Sequence, residues 1–524
     1  MPCTCVRQTE LPNTSALFAD ILYHADRTAA FYPYPHRDLA AYRDSASRID
    51  FPPERRAALI DALRVQNPDS PSLRKLAKPG TVAVMTGQQV GLFSGPAYTL
   101  YKVLHAVRLA QWLSENGIEA VPVFWLATED HDFAEVNHVW AFDSAHRPTR
   151  LEMRRTASAQ PVGEVRLTDP PVDALRAVLS SLPFGDEVTA LVEESYQSGR
   201  TMGEAFGSLM RRLIADYDVL QVDPMLPAFR ALAAPALRSA VEATPALVDG
   251  LLTRNRELAA AGYHAQVHVE PHTSLVFLLE NGKRLALRRH NSDYMQNGRR
   301  LTTAELMDRA ESVSPNAILR PVVQDSMLPT VAYVGGPAEI AYFAQSEVIY
   351  RDILGRMPVA VPRAGFTVLD ARTSKLMDRY GLNLQAFFHG EEALRERIAA
   401  RLVPPELDRT VKDTAATIES AIGRLHREFL AFDPTLAKAL DRGARKIRHQ
   451  IGKMERKAGR EAFHRSERAA QDAASMYGLI YPERHLQERL YSILPLLAKH
   501  GLDLIGQIHD LIELECPDHR LMVV

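Results

Sequence analysis

Cysteine is scarce in this chain. Its 524 residues include three, Cys3, Cys5 and Cys516, too few for a disulfide framework. Cys3 and Cys5 form an isolated CxC near the N-terminus, where a frayed end is the expected state and a metal or redox role the lesser reading. No apolar run approaches the roughly 20 residues that span a bilayer, and the first residues lack the basic-then-apolar pattern of a secretory signal. A cytoplasmic protein is expected. The formal net charge of −2 gives no electrostatic case for nucleic acid or an anionic membrane surface. Internal repeats and low-complexity segments are also missing.

What is present is ordinary globular composition, 46% hydrophobic and 24% charged, in a chain long enough for two or more domains. The stretch from Thr81 to His138 organises the rest. A β-branched run at Thr81–Met85 leads to a glycine-punctuated turn, Gly87 through Gly91 to Gly95 and Pro96. An amphipathic helix over 97–115 follows, closed by Gly117, and then a second apolar run, Val121–Leu126. This is one βαβ unit of an open, doubly wound parallel sheet, an α/β fold. In such sheets ligands sit beyond the carboxyl ends of the strands. Both TGQQ (86–89) and EDHD (129–132) lie there.

Elsewhere the pattern reads as helical over 14–50, with a turn-like Tyr32-Pro33-Tyr34-Pro35 inside it, and as a helix over 53–66, with a Pro-, Ser- and Asp-rich break at 67–72. Strands are expected at 139–142, 150–154 and 162–166 in a small antiparallel insert, then helices at 173–182 and 187–215. Val219–Val222 reads as another parallel strand. A helix over 228–261 precedes strands at 265–269 and 275–280, and Asn281-Gly282 supplies a type I′ turn into a strand at 284–289. Pro329–Val334, Gly335-Gly336-Pro337 and a helix over 339–349 repeat the strand–glycine–helix logic, with Val359–Pro362 a further strand.

Beyond about Leu384 the texture changes. Val411, Ala415, Ile418, Ile422, Leu425 and Phe429 alternate four and three apart, the seam of a coiled coil. After Asp433-Pro434, one seven-residue track runs Leu440, Ile447, Met454 and a second Ala444, Ile451, Ala458. An antiparallel helical hairpin is expected, its second arm rich in Arg and Lys from 438 to 468. A solvated face is the main reading of that charge, an anion contact the minor one.

Three clusters could carry chemistry. Gly87, Gln88, Gln89, Gly91, Ser94 and Gly95 precede a helix, where exposed N–H groups and the helix dipole favour an anion. Lys102 could neutralise a phosphate or be a surface lysine, and simple turn glycines are the plainer alternative. Glu129, Asp130, His131 and Asp132, with Asn137 and His138 on the same loop, need something to offset their charge. A polar substrate, a helix cap or a bound cation would each serve, but the spacing matches no standard zinc pattern. Gly335, Gly336 and Glu339 repeat the arrangement with Tyr333 and Tyr342 nearby; Glu339 is either a cap or a contact to a substrate amine.

TGQQVGLFSGPAYTLYK, VPVFWLATEDHDFAEVNH and LPTVAYVGGPAEIAYF closely resemble the bacillithiol-synthesis cysteine-adding family of the BshC type. ALFADILYH…FYP and LQERLYSILPLLAKHGLDLI resemble it too, so the likeness covers nearly the whole chain. The resemblance implies a Rossmann-like core with inserted connecting segments and a C-terminal helical coiled coil that supports a homodimer. It implies a core over 1–384 with inserts at about 143–218 and 228–313, a hairpin over 385–475, and a C-terminal segment, 476–524, that packs back on the core. The implied reaction joins the carboxyl of L-cysteine to the amine of glucosaminyl-malate. The family's fold is similar to that of class I nucleotidylyl-transfer enzymes, from which this chain departs. GLFSGPAY stands where a HIGH-like helix start would be, and Arg372-Thr373-Ser374-Lys375 only faintly echoes KMSKS.

On that reading ATP or ADP is the expected nucleotide, held by Gly87, Gly91, Gly95 and Lys102, with no metal implied. Asp130 or Asp132 would hold the cysteine ammonium, and His131 would accept the proton of the attacking amine. Gln88, Gln89, Ser94, Glu129, Asn137, His138, Tyr333, Gly335, Gly336 and Glu339 would contact substrate. Two other classes stay open: a nucleotide-binding dimeric scaffold without chemistry, and a metal-dependent hydrolase built on EDHD.

Overall fold

The computed structural model describes residues 3–154 and 159–524. Its centre is a five-stranded parallel sheet of β1 (Val82–Gln89), β2 (Ala120–Ala127), β3 (Leu220–Val222), β4 (Thr330–Gly335) and β5 (Val359–Pro362), in the order β5-β4-β1-β2-β3. Strands covered on both faces read as nearly unbroken apolar runs, which is why AVPVFWLA and TVAYVG were legible. Alternation then sorts β1 between two cores. Val82 and Val84 pack with Ala106, Leu109 and Leu113 of helix α1 (Tyr98–Glu115). Ala83 and Met85 face the opposite cluster, with Leu237 and Val241 of α2 (Pro227–Ala260) and Ile340 and Phe343 of α3 (Pro337–Leu354). The sheet is thus doubly wound. β1 and β2 pair in register from Val82 with Ala120 to Gln89 with Ala127, and β4 lies on the other side of β1.

Several expectations need correction. The first strand does not give way to a turn at Gly87; it continues through Gln89, so Gln88 and Gln89 alternate out of a strand rather than line a loop. The 14–50 stretch holds two α-helices, Ala16–Tyr23 and Leu39–Ser47, on either side of the expected turn at Tyr32–Pro35. Of the three antiparallel strands, His138–Phe142 and Pro148–Glu152 pair, whereas Val162–Glu164 is a 3-10 turn with Arg166 bridged to Thr201. The 187–215 helix is two, Gly185–Ser195 and Met202–Leu213, because Thr201 and Glu204 form a capping box that starts a new one. Residues 265–269 are not a strand: the Gln345 amide bonds both Val267 N and Val267 O, taking the place of a neighbouring chain. The Asn281-Gly282 turn is present with both φ positive, but the strand after it stops at Ala286 and Arg288–His290 joins a different sheet.

The chain divides into two compact units: Met1–Ser144, Pro148–Val368 and Gln487–Met522; and Ala145–Arg147, Leu369–Leu486 and Val523–Val524. The parallel sheet belongs to the first. The second contains α4 (Pro405–Phe432) and α5 (Pro434–His464), with Asp433 capping α5 through Thr435 N. Glu419 pairs with Arg448 and His426 with Asp441, so advancing along one helix retreats along the other: the hairpin is antiparallel. Ala444, Ile451 and Ala458 are the inward track of α5. Ile447 and Met454, on the other track, are exposed, as are Leu425 and Phe432. Among the described residues no helix is long and apolar enough to cross a membrane.

Candidate active site

The carboxyl ends of β1 and β4 open into a cleft of about 370 Å³ lined by Gly87, Gln88, Gln89, Tyr98, Asp130, Glu135, Arg320, Gly336, Glu339, Tyr342, Arg363 and Arg489, among others. All of these lie in the first unit. Of the residues singled out in the sequence, Gly87, Gln88, Gln89, Asp130, Gly336 and Glu339 therefore share one cleft.

Its floor is an ion pair. Lys102 is fully buried one turn into α1, and its Nζ donates to Glu339 Oε2 at 2.6 Å, to Gln88 Oε1 at 3.2 Å and to Gly87 O. Three acceptors match the three N–H bonds of an ammonium. Burial pushes the Lys102 ammonium down against the pull of Glu339. Burial would raise Glu339, but the Lys102 charge, the Gly336 N–H and the Tyr333 hydroxyl outweigh it and hold this carboxyl below its usual range. Glu339 Oε1 accepts from Tyr333 at 2.8 Å and Oε2 also from Gly336 N at 2.8 Å, so it caps α3 as well. Lys102 is therefore not a surface lysine.

Three arginines line the cleft. Arg320 donates to Tyr342 Oη at 3.1 Å; burial pulls this guanidinium down, but Tyr342, Tyr333 and Glu339 outweigh it and keep it charged. Arg363 is buried and held in a two-point pair by Glu488, at 3.0 and 2.6 Å, with its guanidinium 5.1 Å from the Tyr98 ring centre. Arg489, next in chain to Glu488, reaches the same ring from an exposed position, at 5.9 Å. Two carboxylates, Asp130 and Glu135, line the cleft as well, and the Arg320 charge reaches Asp130. Gln89 Nε2 bridges Asp130 Oδ2 at 2.8 Å and Glu135 Oε2 at 2.9 Å. Burial would raise Asp130, but the Gln89 bond, the Arg284 charge and the His131 N–H hold it below its usual range.

The EDHD residues diverge. Glu129 points inward, accepting from Ser314 Oγ at 2.8 Å and from Arg230 at 3.4 Å. Asp130 faces the cleft and Asp132 is exposed. His131 lies outside the cleft lining, its ring 5.5 Å from that of Phe277, with Nδ1 3.1 Å from Arg284 Nη1. A guanidinium only donates, so Nδ1 is the acceptor and Nε2 carries the proton. Burial and the Arg284 charge pull its pKa down, so the ring is neutral. His131 Nδ1 is thus engaged by Arg284, and the residue lies outside the cleft lining. Asp130 and His131 both meet Arg284 Nη1, while Glu129 turns inward and Asp132 outward, and among the described residues no group of three His, Cys, Asp or Glu could hold a metal.

The remaining expected residues serve the fold around the cleft. Asn137 bonds Glu152 and Met153 O across the His138 hairpin, and His138 Nδ1 meets Asn137 Oδ1 at 3.2 Å. Ser94 is buried against Ser492 Oγ at 3.3 Å, and Tyr196 Oη donates to Gly91 O. Gly91 and Gly95 touch: a Cβ on Gly91 would lie 3.0 Å from Gly95 Cα. Their N–H groups are used within the turn, by Gln89 O and Leu92 O. Gly335 O accepts from Arg363 N. Arg320, Arg363, Arg489, Tyr98 and Glu135 went unnoticed in the sequence, since isolated arginines have no motif. A Pro-Arg just past a parallel strand, Pro362-Arg363, was the one available signal.

Comparison with known proteins agrees with this architecture. The family description "Bacillithiol biosynthesis BshC, N-terminal Rossmann-like domain" matches residues 1–364, and "Bacillithiol biosynthesis BshC, C-terminal coiled-coil domain" matches 366–524. A protein of Solibacter usitatus named "Putative cysteine ligase BshC" is 71% identical over 100% of both chains. Proteins of the same name from Koribacter versatilis and Salinibacter ruber are 37% and 30% identical, over 99% and 97% of this chain and 99% and 96% of their own. The chain belongs to the BshC family of bacillithiol biosynthesis.

Proposed function

We propose that this chain is a carbon–nitrogen ligase of the cytoplasm that joins the carboxyl of L-cysteine to the amine of glucosaminyl-malate in the cleft between β1 and β4. The observation that carries this reading is that one cleft gathers Arg320, Arg363 and Arg489 together with Asp130 and Glu135. Glucosaminyl-malate has two carboxylates and an amine; cysteine has one of each. The arginines are suited to the malate carboxylates, since a guanidinium offers paired donors to a planar anion. Asp130 and Glu135, tied by Gln89, would hold an ammonium and take up charge as its proton leaves. Glu339, its oxygens engaged by Lys102, Tyr333 and Gly336, supports the floor rather than contacting an amine.

Amide formation further requires an activated carboxyl, for which ATP is the proposed source. The Gly91–Gly95 turn and Lys102 do not suit its phosphates, because their donors are engaged inside the protein. No step is therefore assigned to them. A homodimer through the hairpin belongs to the same proposal, supported by the exposed Leu425, Phe432, Ile447 and Met454. The test is thiol analysis by mass spectrometry in a strain lacking the gene. Accumulated glucosaminyl-malate without bacillithiol is expected; unchanged bacillithiol would overturn the proposal.

A further inference from the structure

The two ends of the chain bring thiols together. Cys3–Val6 pairs antiparallel with His519–Val523, Cys5 opposite Arg520. Cys3 and Cys5, two positions apart on a strand, share a face. Cys516, just ahead of the second strand, sets its Sγ 3.8 Å from that of Cys5. Cys5 is exposed, and Cys3 and Cys516 are half-buried. The CxC is therefore half of a paired-thiol site whose other half lies 511 residues away.

We propose that Cys5 and Cys516 form a reversible disulfide by exchange with a low-molecular-weight disulfide such as cystine. The Cys5 thiolate attacks one sulfur of the small disulfide, releasing one thiolate and leaving a mixed disulfide. The Cys516 thiolate then attacks the Cys5 sulfur and releases the second. Two protein thiols are oxidised and one small disulfide is reduced to two thiols, with both protons passing to the released thiolates. The sulfurs must close to about 2.05 Å, a movement that χ rotation of two surface side chains supplies.

The bond would tie the terminal strand to the middle strand of its sheet, order Cys3–Val6, His519–Val523, Phe366–Leu369. Arg520 N of that middle strand donates to Gly365 O at 2.9 Å, two residues from Arg363 of the cleft. Oxidation would thus fasten the sheet whose Phe366–Leu369 strand begins just after Arg363 of the cleft. Burial and the adjoining Cys516 thiol push the Cys5 thiol up to about 11, so exchange should be slow at neutral pH and quicken as pH rises.

The test uses the full-length protein, treated with cystine at mildly alkaline pH, blocked with an alkylating agent and mapped by non-reducing peptide mass spectrometry. The expected result is a Cys5–Cys516 linked peptide that dithiothreitol removes, that Cys3→Ser retains and that Cys5→Ser abolishes. Thermal unfolding should shift upward on oxidation in the unsubstituted protein and not in Cys5→Ser. Both thiols still open to alkylation, a mixed disulfide that persists on Cys5, or linkage of Cys3 to Cys516 instead would each overturn the proposal. None of these outcomes depends on the ligase reading.

Discussion

The mouth of the parallel sheet and the helical hairpin are both rich in charge, yet the charge does different work. At the sheet, Lys102 is wholly buried and Glu339 is 19% exposed, each satisfied by several fixed partners. On the hairpin, Arg448 and Glu419 form a two-point pair of similar length, 2.6 and 2.8 Å, with about half of each side chain in water. Distance alone would rank the two alike. Burial separates them, because a desolvated charge that loses its partner has no solvent to replace it, whereas an exposed one does.

The largest effect expected is at the floor of the cleft. Glu339→Ala strands the Lys102 charge and should cost about 3–5 kcal/mol in urea unfolding, most of it restored by adding Lys102→Met. An equal loss in the double variant would show that the pair's charge is not what matters. Next comes Gly87→Val, whose Cβ would meet Trp125 Cβ at 3.2 Å and Trp125 O at 3.3 Å. Overpacking there should cost about 1–3 kcal/mol by the same measurement.

The pH dependence follows from the carboxylates. Asp130 and Glu339 sit below their usual range in the fold. Their contribution is present above the ordinary carboxylate range and is lost as pH falls through the depressed folded values, because the unfolded chain binds protons first. Thermal midpoints followed from neutral pH downward should fall, and Asp130→Asn should flatten that fall. The smallest effect is on the hairpin, where Arg448→Ala should leave the unfolding midpoint unchanged. A clear loss there would erase the contrast between the two regions.

The sequence disclosed what local physics decides. Apolar runs fixed the five strands, Asn281-Gly282 the hairpin turn, and the heptads with Asp433-Pro434 the helical pair. Long-range pairing was illegible. Nothing near Lys102 names Glu339, 237 residues on, and the hydrogen bonds that engage the Gly91 and Gly95 N–H groups depend on how that turn folds upon itself. A run of like residues also proved a poor guide to a shared site. Glu129 to Asp132 are four neighbours in sequence, yet Glu129 turns inward to Ser314, Asp132 is exposed, and of the four only Asp130 lines the cleft. Arg320 and Arg363, distant and without a motif, meet in the cleft because helix and strand ends deliver them there.

In the proposed reading, Arg320 is one of the cleft arginines that recognise the malate carboxylates. Isothermal titration of glucosaminyl-malate into unsubstituted protein and into Arg320→Met tests it most directly, with circular dichroism confirming that the variant is folded. Loss of one charge-assisted contact predicts about 10- to 100-fold weaker binding. Equal affinity in the two proteins would contradict the account.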